Sequence, residues 1–151
     1  MIYQIKFPFA VVSVFMWIGF VSAISFLEAW LKFKAPGITL PLGLGIGKLV
    51  FGALNKVEWA LAFIIILNFV LADGKIITIH NLAYFLPVVI LLIQTFWLLP
   101  ILGERADLYI NNQSVPGSNI HFLFIALEVI KVISLIIFGM GLFKSVKQYI
   151  S

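Results

Sequence analysis

Four stretches of this chain are each long and apolar enough to cross a bilayer, and this limits the fold more than any motif does. A hydrocarbon core of roughly 30 Å asks for about 20 apolar residues per helix. Residues 7–30 carry no charge before Glu28, and residues 49–72 qualify although Asn55, Lys56 and Glu58 lie in their first half. Residues 79–102 hold Gln94 and an internal Pro87, and residues 120–143 are interrupted by Glu128 and Lys131. Lys6 and Val21-Ser22-Ala23 would also suit a secretory leader, but the first stretch is read as a true span. The chain is 63% hydrophobic and 11% charged over 151 residues, whereas a soluble domain is nearer half apolar and a quarter charged. The sequence therefore predicts an all-α membrane protein of one domain, residues 1–151. Its expected form is a four-transmembrane-helix bundle with both termini on one side and an apolar, glycine-rich first loop.

Several function classes fall away. With no cysteine, disulfides, thiolate metal sites and thiol nucleophiles are excluded. The net charge of +4 comes in no run dense enough to follow a nucleic-acid backbone, so no nucleic-acid partner is expected. The stretch Pro41-Leu-Gly-Leu-Gly-Ile-Gly-Lys48 suggests a phosphate cradle, but Leu42 stands where a Walker loop needs glycine. Leu49 stands where it needs a magnesium-binding hydroxyl, and the dinucleotide fingerprint fails as well. No nucleotide is expected. The better reading is packing: Gly43 and Gly47, with Gly52 about one turn later, let another backbone approach closely. The connection Ala35–Gly47 is then expected to dip back against the bundle, with Gly43, Gly45 and Gly47 as wall or lid of a polar site.

The remaining connections are a tight turn at Asp73-Gly-Lys75 and a longer polar segment, Gly103–Ser118, after which Ser118 or Asn119 can cap the fourth helix. Chain direction gathers the scattered charges. If the amino terminus lies on side A, the first helix ends on side B and the second starts there. The third ends on side B and the fourth starts there. Glu28, Lys32, Lys48, Asn55, Lys56, Glu58, Glu104, Arg105, Asp107 and His121 then all fall toward side B. Glu128 lies about 13 Å and Lys131 about 18 Å into the fourth span at 1.5 Å per residue. Glu28 and Lys32 share a helix face, as do His121 and Glu128. A charge at a span's centre costs roughly 2.5–3.5 kcal/mol on insertion scales, and such residues usually face the interior and pair with one another.

The candidate ligand- or ion-binding set is therefore Glu28, Lys32, Asn55, Lys56, Glu58, Arg105, His121, Glu128 and Lys131. One reading makes it a solute, ion or proton site opening to side B, with Lys131 as counter-charge. The alternative makes the charges ion pairs that fix helix register in a non-catalytic or assembly subunit. A metal at Glu128 and His121 is disfavoured, because bundle di-metal sites use Glu-x-x-His repeats and this chain has Glu128-x-x-Lys131; no cofactor is expected. A lipid-directed enzyme using His121 and a glutamate as acid and base has the least support. No catalytic residue is assigned.

The run "LPILGERADLYINNQSVPGSNIHFLFIALEVIK", with its Arg105, Pro116, His121, Glu128 and Lys131, resembles small four-span bacterial membrane proteins of no assigned activity. "FLEAWLKFKAP" in the first third extends the likeness. The resemblance implies a multi-pass protein of the bacterial inner (plasma) membrane and supplies no chemistry. Lys6, Lys75, Lys144 and Lys147 flank side A, against Lys32, Lys34, Lys48 and Arg105 on side B, so the positive-inside rule is balanced. The carboxyl-terminal lysines favour a cytoplasmic side A. The expected function is ion, proton or small-solute binding or transport, with the bilayer and a second copy or membrane complex as partners.

Overall fold

The structure, a computed structural model, describes residues 2–72, 82–143 and 146–149. Four helices are long and apolar enough to cross a membrane: α1 (Pro8–Lys34), α2 (Leu40–Leu71), α3 (Ala83–Ile110) and α4 (Ile120–Phe143). The protein is a multi-pass four-helix bundle. α1 packs on α2 and α4; the first half of α3 packs on α4 and its second half on α2. The interior is built from Trp17, Val14 and Val21 of α1, Leu54 and Ile65 of α2, Tyr84 and Leu91 of α3, and Leu135 and Phe138 of α4. Bulky apolar residues such as Phe63, Phe96, Phe122 and Ile137 point outward, as expected where the solvent is lipid.

Short strands β1 (Ile2–Ile5) and β2 (Val146–Tyr149) pair antiparallel, with Ile2 opposite Tyr149 and Ile5 opposite Val146. This pairing ties the segment before α1 to the segment after α4 on side A. The expected Asp73-Gly-Lys75 turn lies outside the described residues, as do Lys75 and Lys144.

Two boundaries differ from the sequence reading, both on side B. The glycine-rich stretch is not a loop: α2 begins at Leu40 and includes Pro41–Lys48, leaving a connection of residues 35–39. Thr39 caps the helix, its hydroxyl accepting from the Leu42 N–H at 3.4 Å and its carbonyl from the Gly43 N–H at 2.9 Å. Pro41 falls in the first turn, where a missing N–H costs nothing. Gly37, at a φ of 82°, makes the preceding turn. Glycine's helix penalty of about 1 kcal/mol yields here to the need for every membrane amide to be paired internally. Likewise α3 continues through Gly103–Ile110, so Glu104, Arg105 and Asp107 are helical rather than in a loop. At 32 residues, α2 is about 48 Å long, which exceeds the hydrocarbon core. The added turns of α2 and α3 build walls at the side-B interface. The fourth helix starts as expected, the Ile120 N–H donating to the Ser118 hydroxyl at 3.2 Å.

Local departures from α geometry have identifiable causes. Pro87 cannot donate to the Ala83 carbonyl, and the Ser134 hydroxyl of α4 donates to that carbonyl instead, at 2.7 Å. Pro100 similarly follows a π-helical turn at Gln94–Leu98, where the Leu99 N–H donates to Gln94. A second π-helical turn, Ser22–Glu28, interrupts α1. At the start of α1 an otherwise unpaired amide, Ala10 N–H, donates to the Asn68 side chain of α2 at 2.9 Å.

Candidate functional site

The polar residues separate into two layers. The deeper is a sealed network to which every helix contributes: Trp17 from α1, Glu58 from α2, Gln94 from α3, and Glu128 and Lys131 from α4. None is more than 2% exposed. The Lys131 ammonium has three N–H donors, and three acceptors meet them: Glu58 Oε1, Gln94 Oε1 at 2.6 Å and Glu128 Oε1 at 3.1 Å. The Trp17 indole N–H donates to Glu58 Oε1 at 2.7 Å, and Gln94 Nε2 donates to Glu128 Oε1 at 2.8 Å. Glu128 Oε2 is buried with no hydrogen-bond partner among the described residues.

The helix faces explain this convergence. Glu128 and Lys131 are three residues apart and share one face of α4. The π-helical turn containing Gln94 shifts that residue's register, and such turns recur at functional sites. A buried indole N–H needs an acceptor, and Glu58 supplies it.

The shallower layer is a half-open cleft of about 720 Å³ at side B, bounded by the ends of all four helices. Its body is apolar, with Phe33, Leu44, Phe51, Leu99 and Phe124 among its walls. Gly43 and Gly47 line it because larger residues would collide there. A Cβ on Gly43 would strike the Phe33 ring, and one on Gly47 would lie 2.9 Å from Lys32 Nζ. They are wall, and they belong to a helix; Gly45 faces Ile110 instead.

Charges ring the opening. Lys32 pairs with Glu28 at 3.2 Å, and Lys48 with Asp107 at 2.6 Å. Lys32 Nζ also lies over the Phe51 ring at 5.7 Å. Arg105 lines the cleft and has no ion pair among the described residues. Glu104 and the exposed His121 share this rim.

An aromatic floor divides the layers. Phe51 and Phe124 meet edge to face with centroids 5.4 Å apart. Phe124 is one turn toward side B from Glu128, and Phe51 two turns from Glu58, so each ring sits above a carboxylate on the same helix face.

The candidate residues thus do not form one site. Glu58, Glu128 and Lys131 come together in the network, while Lys32, Arg105 and His121 belong to the cleft. Glu28 supports Lys32 from beside the cleft. Asn55 donates to the Thr95 hydroxyl at 2.9 Å, beside Trp59, and joins neither layer. Lys56 is exposed on the outer face of α2. His121 at the rim is two turns from the buried Glu128. Among the described residues no three histidine or acidic side chains gather as a metal site would require. Trp17 was not legible as a member of the network, and Gln94 was visible only as a lone amide in an apolar span. Comparison with family models, with curated proteins and with solved structures finds no match to this chain, so its chemistry is read from these residues alone.

Proposed function

We propose that this protein is a membrane-embedded binding protein for a small amphiphile with one anionic head group, held in the side-B cleft. The observation that carries this reading is an apolar cleft whose rim presents Arg105 without a carboxylate partner among the described residues. Its volume of about 720 Å³ falls in the range of roughly 300–1,000 Å³ usual for ligand pockets. Arg105 offers a planar fork of donors suited to phosphate or carboxylate, while Phe33, Phe51 and Phe124 offer surface to a hydrocarbon tail. Such a ligand reaches the cleft from the side-B leaflet. If the carboxyl-terminal lysines set the orientation, that is the outer leaflet of a bacterial inner membrane. The function expected from the sequence, small-solute binding at side B, is kept; an ion path through the bundle centre has less support, because the network below the floor is sealed.

The register-fixing alternative is supported for that deeper network by a specific observation. Its hydrogen bonds tie all four helices at one level, a geometry that specifies alignment. We assign it the role of holding the helix ends that form the cleft.

The test uses purified protein in neutral detergent, titrated with short-chain phosphatidic acid or with phosphatidylcholine of the same tails, and read by native mass spectrometry. Phosphatidic acid should be retained preferentially, and Arg105→Ala should remove the preference. Equal retention of both lipids, or a preference unchanged in Arg105→Ala, would contradict the proposal.

A further inference from the structure

The buried network does not balance its charges. Glu58 and Glu128 bring two carboxyl groups, and among the described residues Lys131 is the one cation in contact with them. α1 and α3 face the pair with Trp17 and Gln94, which are neutral at every pH. With both carboxylates ionised the network would carry a net negative charge in a buried interior, where an unpaired charge is very costly. The hydrogen bonds point to the same imbalance. Every N–H of Lys131 is used, Glu58 Oε1 and Glu128 Oε1 each accept twice, and Glu128 Oε2 accepts from nothing. An ionised Glu128 Oε2 buried without a donor adds to the cost of keeping both carboxyl groups charged.

The missing positive charge could come from a metal cation or a proton. The cleft walls do not include any member of the network, and the residues pack to within 2% exposure. Among the described residues no third histidine or acidic side chain joins the two carboxyl groups to complete a cation shell. We propose that the Glu58–Glu128 pair holds one proton at neutral pH, making the network a buried proton-binding site beneath the cleft. The proton belongs to the pair rather than to one residue in isolation. This goes beyond ligand binding in the cleft and does not depend on it.

Infrared spectroscopy of the protein in phosphatidylcholine vesicles at neutral pH reads the protonated carboxyl stretch. The wild type should show one such band. Both Glu128→Gln and Glu58→Gln should abolish it, because the remaining carboxylate then balances Lys131 without a proton. Exposed Glu104→Gln should leave it unchanged. Absence of the band in the wild type, which needs no variant to fold, would overturn the proposal. So would its persistence in either network variant.

Discussion

Replacing Lys131 by methionine removes the cation that the two buried carboxyl groups contact, and its cost can be set against that of a pair in plain view. Lys131 serves three acceptors on three helices. Without it Glu58 keeps only the Trp17 N–H and Glu128 only the Gln94 amide. Breaking a buried pair by deleting one partner costs about 3–5 kcal/mol, because the surviving charge stays desolvated. Lys48 and Asp107 make a close pair too, but their side chains are 45% and 49% exposed. Such a pair contributes about 0–1 kcal/mol. Lys131→Met and Lys48→Met are therefore expected to differ by about 3 kcal/mol in denaturant unfolding followed in mixed micelles. The combined Lys131→Met, Glu58→Gln and Glu128→Gln variant leaves no stranded charge, and should recover most of the loss, since neutral replacements of buried ion pairs are often tolerated. A Lys131→Met protein no less stable than Lys48→Met would refute the reasoning. A triple variant as unstable as Lys131→Met would do the same.

Other substitutions probe single links. Ser134→Ala should cost about 1–3 kcal/mol by orphaning the Ala83 carbonyl. Adding Pro87→Ala, which restores a donor from the helix itself, should return part of that stability in the same unfolding assay. Trp17→Phe keeps a buried aromatic ring, though a smaller one, and removes the indole donor to Glu58, for an expected loss of about 1–3 kcal/mol. Gly43→Ala pushes on the Phe33 ring and should both destabilise, by about 1–3 kcal/mol, and weaken phosphatidic acid retention. Gly52→Ala meets nothing within 4 Å and should leave stability within about 0.5 kcal/mol.

The membrane fold was legible because apolar length is a local property, and each span could be counted from composition alone. The concentration of charge toward side B was also legible, since span direction alternates along a chain. Boundaries at Leu40 and Ile110 were not. Glycine and proline at Pro41–Gly47 signal a turn in water, but in a bilayer the demand for paired amides keeps them helical. The division of polar residues into two layers was equally hidden. It depends on which helix faces converge, and the π-helical turn at Gln94 alters the simple 3.6-residue register. Trp17 showed no signal because an indole in an apolar span reads as core until its N–H is seen to meet Glu58. Glu128 and His121 share a helical face, yet the Phe124 ring between them closes one off from the other. Seven-residue spacing places side chains in line, and says nothing of what packs between.

An experimental structure of the protein with short-chain phosphatidic acid would decide whether the cleft is a ligand site. The phosphate is expected within hydrogen-bond distance of Arg105, with a tail along Phe33, Phe51 and Phe124, and with the sealed network unchanged beneath. A head group seated elsewhere, with the cleft empty or holding only acyl chain, would contradict it.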